Sequence, residues 1–430
     1  MDKTAVKIVT YFSNLEEFLI GVLFLTLPFG WGFSIVPLVL VTIILLVNAI
    51  TRPQKPSKEK LLYFLPPIAM FIWNTISLLY TENIGHGLSI LSTQLTLIIA
   101  TSAFLFNKIP SSTIYKSIFM FLIGCLCSVA LLYGMAFFNS SSIIGNAYIF
   151  SPFFDNMKPC MLDTDVNGNY FLGREFSNLI HPAYYAIMLS MAMVLILERL
   201  RSNSKSNAYP NFWLFVFAIF GIALIQLSFN GTLILAAVII LLTLGVLSVW
   251  KIYYLEHSRT LYFIVLIFFG FLIINPQTLS HTDNKLNDSI MLRTKVTKAS
   301  LQVISENWLT GVGIGDGCDE MKHIYKEMCE GAMAKKRYNS HNQFLTSWIQ
   351  SGIIGVILLI WSFATVSRRA FRKKSLLLHL FGIIFIVSFL FESILVRYWG
   401  VLTYIIFYSM LYFYSESLED KGKIKPICKE

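Results

Sequence analysis

The stretch "SHNQFLTSWIQSGIIG", residues 340–355, places a histidine, an asparagine and a glutamine directly ahead of an apolar segment. Histidine is the side chain whose unperturbed pKa lies nearest neutrality. His341 at such a lip is therefore either a polar cap where a helix enters a membrane or a general base working at the membrane surface. Further along, "FLFESILVRYWG" carries Glu392 inside an apolar run. An unpaired carboxylate is expensive there, so Glu392 needs a partner. Arg397 is one candidate; alternatively Glu392 orients His341 or a substrate hydroxyl. Such residues act together only if helices bring them to one face, so the elements that position them come next.

Of the 430 residues, 56% are hydrophobic and only 13% charged, with a mean hydropathy of +0.65. Soluble domains carry about 25% charged residues. Here runs of roughly 20 apolar residues, long enough to cross the hydrocarbon core, recur along the chain. The alternating strands of an outer-membrane barrel are absent, which leaves an all-α polytopic bundle. Reading the runs gives about twelve transmembrane helices, near 15–32, 33–50, 61–80, 87–106, 115–138, 178–198, 211–228, 231–250, 260–276, 344–366, 375–394 and 398–415. Glu16 and Glu17 precede the first run and no small-residue cleavage site follows it, so no cleavable signal peptide is expected.

Basic loops such as "TRPQKPSKEK", "NKIPSSTIYK" and "SRRAFRKK" each follow an even-numbered span. The positive-inside rule makes them cytoplasmic, with both termini inside. The net charge of +10 is thus a topology signal and calls for no nucleic-acid partner. The chain divides into residues 1–276, holding spans one to nine with a smaller outer loop at about 139–177; a large outer loop at 277–343; and residues 344–430, holding the last three spans and the tail. The large loop is too long for a mere connector, so function is expected there. Leu292, Val296, Ala299, Val303 and Ile304 recur in it at helical spacing, glycines in "GVGIGDG" then end the pattern, and a second polar helix is expected from about Asp319 to Arg337. Cys318 and Cys329 share this loop, where a disulfide is an open alternative. No His/Cys spacing resembles a zinc site.

Two segments carry a family resemblance. From His341 the pattern runs through Asn342 to Gly352 and Gly355, while "RTKVTKASLQVISENWLTGVGIGD" opens on Arg293, continues as an amphipathic helix and closes on G-x-G-x-G. Together with the span count and the large loop between spans nine and ten, this resembles the lipopolysaccharide O-antigen ligase family, in a GT-C-like architecture. The resemblance implies transfer of a polysaccharide from undecaprenyl diphosphate to a sugar hydroxyl of lipid A-core, at the periplasmic face of the inner membrane. It implies His341 as the catalytic base, with Asn342 beside it, and carries the family's loop arginine onto Arg293. A guanidinium there would hold the departing diphosphate bidentately. An interfacial arginine paired with lipid phosphate is the plainer alternative.

Arg174 and His181, in "GREFSNLIHPAYYA", are further candidates to contact substrate. The chain departs from the family at "LSFNGTLIL", where Asn230 stands at the position of an expected arginine. Arg174 or Arg397 then takes over that contact, or Asn230 donates a neutral hydrogen bond. Glu392 fits the acidic residue that family members carry in the corresponding helix. The two glycines are expected to let another helix pack close to the tenth span.

No cofactor is expected, because the glycosyl diphosphate stores the bond energy, and the lack of an acidic cluster argues against a required divalent ion. An O-antigen polymerase or a protein O-oligosaccharyltransferase would use the same donor with another acceptor. A flippase would instead show charged pairs in mid-span and inverted repeats. "GVGIGDG" follows a helix rather than a strand, so it is read as a turn and not as a nucleotide loop.

Overall fold

The computed structural model describes residues 3–52, 54–144, 147–155, 167–202, 210–227 and 282–423. They are mostly helical and fall into two compact units. One comprises Met1–Ile20, Leu38–Tyr115 and Leu272–Glu430; the other comprises Gly21–Pro37 and Lys116–Phe271. Among the described residues, six helices are long and apolar enough to cross a membrane: Gly32–Thr51, Lys58–Tyr80, Ile84–Leu105, Ser111–Asn139, Pro182–Arg201 and Gln343–Lys373. Pro210–Gln226 and Leu376–Phe391 are apolar but shorter. The spans expected at 231–250 and 260–276, and Asn230, lie outside the described residues.

In chain order the helices are α1 (Lys3–Thr26), α2 (Trp31–Thr51), α3 (Lys58–Ser77), α4 (Ile84–Leu105), α5 (Ser111–Asn139), α6 (Gly173–Phe176), α7 (Pro182–Ser202), α8 (Pro210–Gln226), α9 (Thr282–Glu306), α10 (Gly317–Glu327), α11 (Gly331–Lys336), α12 (Gln343–Lys373), α13 (Leu376–Phe391) and α14 (Tyr398–Lys423). In the second unit α7 packs on α8, and α5 is tied in by the Ser128 and Tyr185 hydroxyls at 2.7 Å. The smaller loop departs from an all-α chain. Strands β1 (Ser141–Ile144) and β2 (Ala147–Phe150) pair antiparallel with Ile144 opposite Ala147, and β3 (Phe153–Asp155) pairs with β4 (Asn167–Asn169). The sequence accounts for the first hairpin, since a Gly-Asn pair separates two short runs rich in β-branched and aromatic residues.

In the first unit α12 is the hub, packing on α3, α13, α9 and α14. Helix α9 has the face its periodicity predicts. Val296, Ala299, Val303 and Ile304 are buried against Met321, Ile324 and Tyr325 of α10, Met333 and Ala334 of α11, and Ile349 of α12, with Leu292 half-buried at the edge. Each large apolar side chain buried this way contributes about 1.5–3 kcal/mol towards holding α9, α10 and α11 on α12. The second polar helix is broken in two rather than continuous from Asp319 to Arg337. Cys329 adopts a left-handed φ of 59° after α10, and its N–H closes the helix end on Lys326 O at 3.0 Å. Cys318 and Cys329 are free thiols, so no bridge joins them. Cys318 is half-buried beside Asp319, and burial first, then that carboxylate, pushes its thiol pKa up.

The chief irregularity lies inside α12. Gly352 has φ 65° and ψ −166°, which interrupts the helix within its apolar length. Backbone groups freed at such a break must find partners where water is scarce. They find them in the loop after α9: Val312 N–H donates to Ile349 O at 2.7 Å, Gly313 N–H to Gln350 O at 3.2 Å, and Ile353 N–H to Trp308 O at 3.1 Å. The approach is so close that a Cβ on Gly352 would sit 2.1 Å from Leu309 O, and one on Gly311 would sit 2.6 Å from Gly352 N. At Gly352 the close neighbour is therefore this glycine loop, where the sequence pattern led us to expect another helix. "GVGIGDG" accordingly does more than end α9.

A Gly352→Ala variant combines a glycine-only conformation, costing roughly 1–3 kcal/mol, with a backbone clash. Its thermal midpoint in detergent should fall by several degrees, whereas Gly134→Ala, which meets nothing within 4 Å, should melt like the wild type. Equal midpoints for the two variants would contradict the role assigned to the break.

Candidate active site at the start of α12

The tight turn that precedes α12 is set by its own side chains. Asn342 is the N-cap, and its Oδ1 accepts from Phe344 N at 2.9 Å and Leu345 N at 3.2 Å. His341, just ahead, has a left-handed φ of 44°, held by its N–H donating to Asn339 Oδ1 at 3.1 Å. Four non-glycine residues of the described chain have a positive φ, and the histidine that carries the motif is one of them. A non-glycine residue in that region is uncommon, and such conformations concentrate at functional positions.

The facing wall is the turn between α13 and α14. Glu392 is buried, and its Oε2 stands 3.3 Å from His341 Nδ1. Its other oxygen accepts from Ser393 N at 3.1 Å, which fixes the carboxylate. Hydroxyls close the seam: Ser340 to Thr346 at 2.6 Å and Thr346 to Ser393 at 2.7 Å. Below them Gln343 Oε1 accepts from Leu395 N at 2.6 Å, and Gln94 Nε2 donates to Leu395 O at 3.1 Å. The turn that bears Glu392 is thus held through both the N–H and the carbonyl of Leu395, and the histidine faces a carboxylate anchored by Ser393 N.

Arg293 arrives from α9. Both of its terminal nitrogens donate to Phe391 O at 3.4 Å, and its guanidinium lies 5.2 Å from the centre of the Phe391 ring. Burial lowers its pKa and the nearby Glu392 carboxylate works the other way. Arginine keeps its proton in any case. The arrangement therefore holds a cation, a fixed anion and a titratable ring side by side. If Nδ1 carries the proton and donates to Glu392, Nε2 is left with a free lone pair, the form a general base requires. No hydrogen-bond partner of Nε2 occurs among the described residues.

The remaining sequence candidates are placed as follows. Arg397 is exposed at the start of α14 and makes no ion pair with Glu392, whose partner is His341. Arg174, in α6, and His181, just before α7, are both exposed and belong to the second unit. His181 Nδ1 accepts from Ala183 N at 3.4 Å, as a helix cap would.

Several positioning residues were not singled out from sequence. Asp316 is buried and accepts from Glu82 N at 2.8 Å and Asn83 N at 2.7 Å, locking the glycine loop to the start of α4. Asn74 donates to Gln94 at 2.8 Å and accepts from Ser351 at 2.6 Å, linking α3 and α4 to the break in α12. For Asn74 and Gln94 the signal was an amide residue inside each of two otherwise apolar spans, which is costly unless paired.

With this geometry in view, comparison with known families is informative. Residues 213–360 match the O-antigen ligase family model. The matched stretch includes Arg293, the glycine loop, His341 and the break at Gly352, and it is consistent with the O-antigen ligase and polymerase family that the motifs resemble. It ends before Glu392 and begins after Arg174 and His181. No curated protein matches the chain.

Replacing Glu392 with glutamine keeps an acceptor for Ser393 N and removes the charge. In histidine-selective ¹⁵N spectra His341 should lose its preference for the Nδ1–H tautomer while the remaining histidines keep their shifts. An unchanged His341 signal would show that Glu392 does not set the tautomer.

Proposed function

We propose that this protein is an O-antigen ligase, a glycosyltransferase that moves a polysaccharide from undecaprenyl diphosphate to a hydroxyl of lipid A-core at the periplasmic face of the inner membrane. The observation that carries the reading is the Glu392–His341 pair with Arg293 beside it, built from segments of which two lie in the matched stretch. In this reading both termini are cytoplasmic, and the turn before α12 faces the periplasm, as the basic loops imply.

The acceptor hydroxyl gives its proton to His341 Nε2 as its oxygen attacks the anomeric carbon of the donor. The bond from that carbon to the diphosphate breaks, and undecaprenyl diphosphate leaves with the electron pair. Displacement from the opposite side inverts the anomeric centre. Glu392 stabilises the imidazolium that forms, and Arg293 faces the charge that accumulates on the diphosphate. To do so it must exchange the weak 3.4 Å contacts to Phe391 O for charge-assisted bonds to phosphate oxygens, which are the stronger of the two. Asn342 and Arg397 are further candidates for substrate contact in this reading; either Arg397 or Arg174 takes over the contact of the arginine that Asn230 replaces, or Asn230 donates a neutral hydrogen bond. No cofactor takes part.

The test is transfer in a purified system containing the protein, undecaprenyl-diphosphate polysaccharide, lipid A-core and EDTA, with products resolved on a gel. The wild type should convert the core into a polysaccharide-bearing ladder. His341→Ala should be slower by about 10²–10⁴-fold, the range of general-base contributions. Arg293→Lys retains charge but loses the planar fork, and should fall by about 10²-fold or more. Lengthening of the donor with the core untouched would make the protein a polymerase. Full activity of a folded His341→Ala variant would overturn the mechanism.

A further inference from the structure

The end of the first unit away from His341 holds a cavity that the transfer chemistry does not use. Helix α12 runs from the His341 turn to Arg369, about 40 Å at 1.5 Å per residue. At that far end Arg369 is buried and fully engaged. It bonds Glu59 of α3 at 2.8 Å and Ser415 of α14 at 2.6 Å, and stacks 3.6 Å from the Tyr412 ring centre. The arginine is structural, and it takes up the Glu59 carboxylate.

Next to it a cavity of about 350 Å³ opens between the loop before α3, the loop between α4 and α5, and α14. Its polar lining includes Lys55, Lys60, Lys108, Ser57, Ser111 and Ser417, and its apolar floor is Leu105, Ile109, Ile114 and Phe413. Lys60 is already held, lying 4.8 Å from the Phe413 ring centre and donating to Asn107 O. Lys55 and Lys108 are exposed and make no ion pair among the described residues. Glu416 also lines the cavity, so three lysines face one carboxylate and the lining is net positive.

The volume lies within the roughly 300–1,000 Å³ of small-molecule sites. Its composition is also divided, with cations and hydroxyls at the rim and apolar side chains from the spans beneath. That division suits an amphiphile with an anionic head. The surrounding loops are the basic ones, where the negative potential of a cytoplasmic leaflet would concentrate such lipids. We propose that this cavity binds the phosphate headgroup of an anionic phospholipid, with Lys55 and Lys108 as its charge contacts and the Leu105–Ile114 floor against its glycerol and upper acyl carbons. The site is independent of the His341 chemistry, so it stands or falls separately from the ligase reading.

The test is the thermal midpoint of the full-length protein in a neutral detergent, with added phosphatidylglycerol, phosphatidylcholine, or millimolar glycerol phosphate. Phosphatidylglycerol should raise the wild-type midpoint by several degrees and phosphatidylcholine should not. A K55Q/K108Q variant should lose most of that shift, while K335Q/K336Q, which removes two exposed lysines from α11, should keep it. Should the double variant prove poorly folded, Lys108→Glu alone serves, with the same expected loss. Protection by glycerol phosphate equal to that by the lipid, and lost in the same variant, would assign the site to a soluble phosphate instead. Equal stabilisation of wild type and K55Q/K108Q, or none of either, would overturn the proposal.

Discussion

The structure of the first unit depends on one backbone substitution: where α12 breaks at Gly352, the loop that follows α9 supplies the hydrogen bonds the helix has given up. Three N–H to carbonyl contacts join residues 308–313 to residues 349–353, and two glycines make the approach possible. In a low-dielectric setting these bonds are hard to exchange for water. The loop is therefore fastened to α12 as firmly as a strand to its sheet, and α9 is fastened with it. Arg293 on α9 and His341 at the start of α12 are positioned relative to each other through this joint. Asp316 extends the same joint to α4 by accepting two N–H groups of the turn before it.

The second constraint is a carboxylate that cannot remain alone. Glu392 is buried, and an uncompensated charge there would be costly. Among the described residues the Ser393 N–H, the His341 ring and the field of Arg293 share the work of holding it. The same contacts that make the buried charge tolerable also orient the histidine and place a cation next to it. Stability and chemistry are served by one cluster, so the cluster's polar residues are best tested with variants that keep shape and remove charge.

Much of this was legible in the chain. The face of α9 follows from five apolar residues at helical spacing, and all of them pack as the spacing requires. The membrane character follows from composition, and the pairing of Glu392 from the cost of an isolated charge. What the sequence left open was which partner Glu392 takes, because His341 and Arg397 are equally plausible from spacing alone and only the turn geometry chooses between them. The glycine loop was underread for a different reason. Its glycines signal close approach, but the surface approached is a break in a helix about forty residues further along the chain, a non-local contact that no local pattern encodes. Gly352 was recognised as a packing glycine, while its left-handed φ depends on that distant loop. The small hairpins of the loop after α5 were missed because short strands outside a periodic run give weak signals.

The position of His341 outside its helix has a consequence for how the site can work. A residue inside α12 would turn with the helix and could not adjust independently, whereas His341 is held by Asn339 on one side, the Asn342 cap on the other and Glu392 across the seam. Its left-handed φ stores strain that those three contacts must offset. Arg293, in contrast, rests on long contacts to a backbone carbonyl and an aromatic face, both of which it can leave at small cost. In the transfer proposed above, a fixed base and a cation that can exchange partners would divide the labour in the order that displacement of a diphosphate requires: the base stays aligned with the incoming oxygen, while the cation follows the leaving group as it departs. The break at Gly352 fixes the helix that bears Arg293 by its backbone, while the guanidinium, carried by the middle of α9, makes no ion pair among the described residues.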